Sequence, residues 1–95
     1  MNFMDFKDVL ETIKDSLASN KKVEIYYPKT ENSSEGWREI ELINVTTDVP
    51  PNGEEVTIEK DNITPGHILN AYDVLEGKTQ LKSFILGKIK NIRHL

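Results

Sequence analysis

His67-Ile68-Leu69-Asn70-Ala71-Tyr72-Asp73 and, after a short linker, Lys82-Ser83-Phe84-Ile85-Leu86-Gly87-Lys88-Ile89 are the two stretches that decide the fold. Both contain several large apolar residues, and the polar turn Glu76-Gly77-Lys78 lies between them. Two such runs on either side of a short linker with glycine predict a β-hairpin.

The parity of the second stretch predicts which side chains enter the core. Phe84 and Leu86 are two positions apart, so both are expected to face inward, with Ser83 on the opposite face. Gly87 lacks a side chain and predicts a bulge or a sharp turn before Lys88.

Further strands are predicted on both sides of this hairpin. Residues 23–27 alternate with period two and end at Pro28, which cannot donate a ladder hydrogen bond. Residues 37–47 predict a second strand because they contain many β-branched residues. Residues 56–58 predict a short strand, and residues 89–95 supply a last short element.

One amphipathic helix is predicted before the strands, at about residues 4–19. Its apolar residues recur at spacings of four, three and four: Phe6, Leu10, Ile13 and Leu17. Such a stripe is one face of a helix and needs a partner surface, which we expect to be the sheet. Asn20 is expected to adopt the left-handed conformation that ends the helix.

The order of elements predicts one domain over residues 1–95, of α+β class and mostly β. The helix of residues 1–20 is expected to pack on a small antiparallel barrel of five or six strands formed by residues 21–95. Ninety-five residues are too few for two domains of ordinary size.

Composition excludes several classes of function. There is no cysteine, so disulfides, thiolate metal sites and thiol catalysis are excluded. No catalytic motif is present, and His67 and His94 lack the spacing of metal ligands. We therefore expect a non-enzymatic protein with no metal or cofactor. No apolar run reaches membrane-spanning length and no secretory signal is evident, so a cytoplasmic protein with no membrane partner is expected.

Charge is distributed unevenly along the chain. The net charge is −4, but residues 31–77 carry a net −9 and residues 78–95 a net +5, with no acid in the latter. This basic C-terminal strip, residues 78–95, predicts a surface for an anionic partner. The open alternative is that folding places the strip beside acidic residues and neutralises it.

The hairpin stretches resemble the WYL domain, a family named for a Trp-Tyr-Leu strand that leads to a segment of the form Arg-x-Phe-Arg-Leu-Asp-Arg-Ile. Leu69 matches the family leucine, while His67 and Ile68 stand in place of its Trp and Tyr. The second segment is matched by Phe84, Leu86 and Ile89, with Lys82 and Lys88 in place of Arg, whereas Ile85 and Gly87 depart from it. Arg38 matches the Arg that begins the second strand of the family.

This resemblance implies an SH3-like or Sm-like barrel that acts as a ligand-binding, regulatory module. WYL domains are thought to bind negatively charged ligands such as nucleotides or nucleic acid, often behind a winged helix-turn-helix. A helix-turn-helix needs two helices, and only one is predicted here, so sequence-specific DNA reading is not expected. Lysine offers phosphate a point charge instead of the planar fork of arginine, which predicts weaker anion binding.

Two functions are compatible with the sequence. The first is binding of a nucleotide or single-stranded nucleic acid by residues that attract phosphate or stack on a base. Its candidate ligand-binding residues are Lys82, Lys88, Lys90, Arg93, Arg38, Tyr72, Trp37 and His67. Each also has a structural alternative, as a solvated cation, a core or rim aromatic, or a packed histidine. The second function is a protein-interaction module, or a homodimer, that uses barrel edge strands and the acidic surface of residues 31–61.

Overall fold

The chain forms one helix and six strands within residues 3–74 and 80–95, the part that the computed structural model describes. The elements in order are α1 (Phe6–Ala18), β1 (Lys22–Tyr27), β2 (Gly36–Thr46), β3 (Glu55–Val56), β4 (Ile68–Asp73), β5 (Gln80–Ile85), a 3-10 turn (Leu86–Lys88) and β6 (Asn91–His94). The predicted α+β, mostly β class is therefore confirmed.

Strand β2 lies at the centre of a single antiparallel sheet. The strand order is β5-β4-β2-β1-β6, and β3 pairs with the far end of β2 on the same side as β1. The predicted hairpin is confirmed, since β4 pairs with β5 and Leu69 faces Phe84 across the ladder. The turn predicted at Gly77 lies outside the described residues.

A β-bulge interrupts β2 between Leu42 and Asn44. Before it, the buried positions are even-numbered, Arg38, Ile40 and Leu42; after it, Val45 is buried. The extra residue changes which parity faces the core and bends the strand. One long strand can therefore pair with β1 at one end and with β3 at the other.

The sheet curls without closing. β5 and β6 are its two end strands, so residues 21–95 form an antiparallel sheet that is not closed, and the predicted barrel is not confirmed. The curl is nevertheless strong enough for β1 to reach β5: the Ile85 N–H donates to the Tyr27 hydroxyl at 2.9 Å, and the Tyr27 and Phe84 rings meet edge to face at 5.0 Å. Burial raises the pKa of the Tyr27 hydroxyl, and the bond from Ile85 opposes this shift.

Helix α1 packs against β6 and β2, as predicted, but its buried face is rotated. The fully buried positions are Val9, Ile13 and Ser16, whereas Phe6, Leu10 and Leu17 are only partly buried. The stripe predicted from apolar residues missed Ser16 because a serine carries no hydrophobic signal.

The residue in the left-handed conformation after α1 is Lys21, not Asn20 as expected. Lys21 has a φ of 62°. Its N–H donates to the Ser16 carbonyl at 2.7 Å, and its own carbonyl accepts from the Leu42 N–H at 2.6 Å. These two bonds hold the left-handed conformation at a residue that has no intrinsic preference for it.

The remaining segments differ from prediction only in detail. β3 is shorter than residues 56–58 because Thr57 enters a turn, where its N–H donates to Asp61 Oδ2 at 2.7 Å.

Phe84 and Leu86 are buried and Ser83 is exposed, as predicted. Within the described part of the chain, no helix is long and apolar enough to span a membrane.

Gly87 makes the sharp turn that its lack of a side chain predicted. It lies in the 3-10 turn, and its N–H donates to the Pro65 carbonyl at 2.8 Å. A Cβ added at Gly87 would lie 2.6 Å from the Pro65 Cβ. The backbones of the two segments can therefore approach this closely only with glycine at position 87.

We expect Ile13→Ala to lower the free energy of unfolding by about 2–5 kcal/mol, since Ile13 is 0% exposed and its loss leaves a cavity in a packed core. Phe3→Ala is the control, because Phe3 is 66% exposed and its ring lies 5.3 Å from the Lys90 ammonium. Its cost should stay below about 1 kcal/mol. Urea denaturation measures both values, and equal costs would contradict the packing of α1 on the sheet.

Gly87→Ala should destabilise the protein by about 1–3 kcal/mol because its methyl group would overlap Pro65. Gly66→Ala is the matched control, at the residue that directly follows the same proline. There the nearest atom to an added Cβ is Thr64 Oγ1, at an ordinary 3.7 Å. Thermal melting should separate the two variants. A Gly87→Ala protein as stable as the parent would show that this close approach is not required.

Candidate anion-binding cleft

Three charged side chains occupy core-facing positions at one end of the sheet. Arg38 is two positions before buried Ile40 on β2, so both point to the same face. Asp73 faces Ile40 across the β2–β4 ladder, and Lys82 faces the buried Ala71 across the β4–β5 ladder. Register therefore brings Arg38, Asp73 and Lys82 together although they are far apart in the sequence.

Asp73 lies between the two cations. Its Oδ2 is 3.0 Å from Lys82 Nζ and 3.9 Å from Arg38 Nη1. The Arg38 and Asp73 side chains are 7% and 10% exposed, whereas that of Lys82 is 27% exposed. With two cations and one carboxylate, this group has a formal charge of +1.

Arg38 is incompletely paired. Its Nη2 atom is buried and has no hydrogen-bond partner among the described residues. A buried donor left without an acceptor costs roughly 1–3 kcal/mol, and more when the group is charged. An acceptor oxygen brought to this point would remove that cost.

A cleft of about 370 Å³ opens beside the three charged residues. Its volume falls in the ~300–1,000 Å³ range typical of small-molecule sites. Residues of the β1–β2 loop and the first residues of β2 complete its wall, next to Asp73 and Lys82: Asn32, Ser33, Ser34, Glu35, Gly36, Trp37 and Arg38. Hydroxyl and amide groups, which can bond an anion, thus surround the charged end.

Trp37 points to the opposite face of β2 and is fixed there by Arg93. The Arg93 guanidinium lies 3.9 Å from the centre of the indole ring, and its Nε is 2.8 Å from Glu24 Oε1. The Tyr26 ring meets the indole edge to face at 5.6 Å. One face of Trp37 is therefore covered by an arginine and does not offer a free stacking surface.

Glu35 accepts two hydrogen bonds at the rim of the cleft. Lys90 Nζ donates to its Oε1 at 3.1 Å, and the Tyr26 hydroxyl donates to its Oε2 at 3.0 Å. These bonds, with that from Lys90 the stronger cause, hold the pKa of Glu35 below its ordinary value. The hydrogen bond from the Tyr26 hydroxyl to Glu35 is also the main reason that the pKa of Tyr26 is raised.

The basic C-terminal strip is largely neutralised within the fold. Of its four described cations, Lys82, Lys90 and Arg93 each form an ion pair, with Asp73, Glu35 and Glu24 respectively. This agrees with the alternative in which folding sets the strip beside acidic residues. Only Lys82 of these four lines the cleft with Arg38.

The other predicted site residues lie elsewhere. Lys88 is exposed in the 3-10 turn, beyond the end of β5 that is opposite to Asp73. His67 precedes β4 at that same end, where its Nδ1 accepts the Thr64 N–H at 2.9 Å. Tyr72 is exposed and pairs with Leu81 on the outer face of the sheet. Lys88, His67 and Tyr72 therefore do not line the cleft.

Asp73, which lies between the two cations, is one of the cleft residues that the sequence prediction missed. The sequence contains a signal for Asp73. Leu69, Ala71 and Asp73 occupy alternate positions, so the acid points to the same face of the strand as two apolar residues. An acid at an inward position of a strand predicts a cation nearby, because an isolated buried charge is costly.

Two other places in the fold bear on function. Ser16 Oγ lies 3.2 Å from His94 Nδ1, but Ser16 is fully buried and inaccessible to a substrate. Among the described residues, no three acidic or histidine side chains are grouped closely enough to hold a metal ion. A second groove of about 340 Å³ between α1 and β2–β3 shows no buried unpaired group in the described chain.

Comparison with known proteins assigns no family to this geometry. No family model matches the chain, and neither a curated protein nor a solved structure is significantly similar to it. Function is therefore inferred from the residues and contacts of the chain itself.

Lys90→Met should raise the pKa of Glu35 towards its ordinary value, because it removes the main hydrogen bond that lowers it. Arg93→Met is the control, since Arg93 pairs with Glu24 instead. Carbon NMR of the Glu35 carboxyl group during a pH titration measures the shift. In the parent protein the lowered pKa contributes stability at neutral pH, which is lost as the pH falls through that folded-state pKa. An unchanged Glu35 pKa in Lys90→Met would contradict the assignment.

Proposed function

We propose that this protein is a non-enzymatic anion-binding module whose site is the cleft of Arg38 and Lys82. The ligands we infer are negatively charged, a nucleotide or single-stranded nucleic acid. The observation that carries the proposal is the buried Arg38 Nη2, which has no hydrogen-bond partner in the described part of the chain and lies next to a second cation and an open cleft.

The chemistry of the two cations fits a phosphate oxygen. A guanidinium presents donors in a rigid plane that matches two oxygens of one phosphate, whereas an ammonium on a flexible stem adds a point charge. Arg38 is held by its strand, and Lys82 is the more exposed of the two. In the proposed complex Lys82 swings aside from Asp73 to meet the ligand, which opens the path to Arg38.

The surroundings of the cations support a small polar ligand group. Ser33, Ser34 and Asn32 supply hydrogen-bonding groups at the rim of the cleft. Lys90 and Arg93 act indirectly, since Lys90 holds Glu35 and Arg93 holds Trp37. Lys88 contributes only to the long-range field, which is weak because the whole protein carries −4.

Affinity in this proposal is modest and moderately salt-dependent. Two cations, Arg38 and Lys82, contact phosphate, so for a single-stranded ligand the logarithm of the binding constant falls against that of salt with a slope of about −1.4. The negative net charge opposes binding, so we expect a Kd above about 1 μM at physiological salt.

We further propose that the curled sheet is a partly open SH3-like barrel and that the module is a regulatory relative of WYL type. The contacts of Tyr27 with Phe84 and Ile85 support the barrel, because they join strands at opposite sides of the sheet. The 3-10 turn that leads into β6 also supports it. Arg38 and Lys82, the residues that match or replace family arginines, line one cleft, which supports the relationship to the WYL type.

A second candidate function rests on the outer edge of β5. The Ile85 N–H points away from β4 to Tyr27, so by strand alternation the backbone groups of Ser83 and Leu81 also point outward. Tyr72, Val74 and Leu81 form exposed apolar surface beside this edge. Such an edge can accept a strand from a protein partner or a second copy of the chain.

Lys82→Met and Arg38→Lys should each weaken binding of a short single-stranded oligothymidylate by about tenfold or more, the effect of one lost charge-assisted hydrogen bond. Lys88→Met is the matched control from the same basic strip, and its effect should stay within about twofold. NMR titration of the labelled protein measures affinity and reports folding in the same spectra.

Two results would contradict the proposed site. Equal weakening by Lys88→Met and Lys82→Met would show diffuse electrostatic attraction without a cleft. If neither nucleotides nor nucleic acid shift any resonance near Arg38, the anion-binding function is wrong. The β5 edge then becomes the leading candidate, and sedimentation of the protein alone tests for a dimer.

A further inference from the structure

We infer that Asp73 is a specificity-determining residue that makes the cleft select singly charged phosphates. The ligand class is then the phosphodiester of a nucleic-acid backbone, in preference to the terminal phosphate of a mononucleotide. This inference rests on the proposed anion-binding function and narrows its ligand.

The charge at the cleft carries the inference. Arg38 and Lys82 supply two positive charges, and the Asp73 carboxylate, 3.0 Å from Lys82 Nζ, removes one. Among the described residues of the wall the other acid is Glu35, which Lys90 matches at 3.1 Å. The described lining therefore carries one net positive charge, which a monoanion neutralises and a dianion exceeds.

Burial strengthens this discrimination. The Asp73 side chain is 10% exposed, so water screens its charge less than it would at the surface. Asp73 lies on the core side of the sheet end and lines the same cleft as Arg38. Any anion that reaches Arg38 and Lys82 is therefore close to this carboxylate. A second charge on the anion adds repulsion, and the described lining of the cleft holds no further cation to meet it.

The charge of a phosphate group depends on whether it is a diester or a monoester, and this difference indicates which ligand class fits the cleft. A phosphate diester has a single ionisable oxygen and carries −1 throughout the working pH range. A monoester has a second pKa near 6 and carries about −1.5 to −2 at pH 7. A backbone phosphodiester therefore matches the cleft, whereas a terminal monophosphate carries excess charge except at acidic pH.

The test compares two probes on the full chain at pH 8: a thymidine dinucleotide joined by one phosphodiester, and thymidine 5′-monophosphate. The parent protein should bind the diester about 3- to 10-fold more tightly, the range expected for one partly screened charge. Asp73→Asn should bind the monophosphate more tightly than the parent does and abolish the preference. Glu39→Gln is the control. Glu39 follows Arg38 in β2, and its side chain points to the opposite face of the sheet, so this variant also removes one acid next to Arg38.

A pH titration of the parent protein tests the inference without a mutation, in case Asp73→Asn does not fold. Between pH 8 and pH 5 the monophosphate loses one charge, so its affinity should approach that of the diester. Tighter monophosphate binding at pH 8, or a preference that Asp73→Asn and low pH leave unchanged, would overturn the selectivity while the anion site stands. Failure of both probes to bind would overturn the proposed function and this inference together.

Discussion

The pairing of strand β2 is the constraint on which the rest of the structure depends. Eleven residues long, it pairs with β1 and β3 on one side and with β4 on the other. A regular strand keeps one parity towards the core, but the bulge at Leu42–Asn44 changes it midway. The hydrophobic core therefore continues along the whole strand while the sheet bends around it. Arg38, at the start of β2, occupies a core-facing position for the same reason that Ile40 and Leu42 do.

A charged core-facing position is costly unless charges of opposite sign accompany it. Asp73 supplies one carboxylate for two cations, and the buried Arg38 Nη2 has no hydrogen-bond partner among the described residues. Replacing such a group with an apolar residue is often neutral or stabilising in other proteins. The place of this charged group at the mouth of a cleft is therefore the basis of the proposed ligand-binding function. The same count of charges links the proposed anion-binding function to the proposed selectivity of Asp73.

The ion pairs of the basic C-terminal strip change how its charge is distributed once the chain is folded. Residues 78–95 contain no acid, yet Lys90 and Arg93 contact Glu35 and Glu24, which belong to earlier parts of the chain. A run of like charges in sequence thus becomes alternating charge on the folded surface. The cations of the strip also fix the rim of the cleft, since Lys90 contacts Glu35 and Arg93 contacts Trp37.

The sequence by itself determined the class of the fold, the existence of each element and the inward parity of Phe84 and Leu86. These features depend on local periodicity and on glycine and proline positions, which are visible within a few residues. It also pointed to Arg38, Lys82 and Trp37 as candidate site residues. Only the tertiary structure decided that the first two share a cleft with Asp73 and that the sheet stays open. Those outcomes depend on strand register and on a bulge, which arise from contacts between residues far apart in the chain.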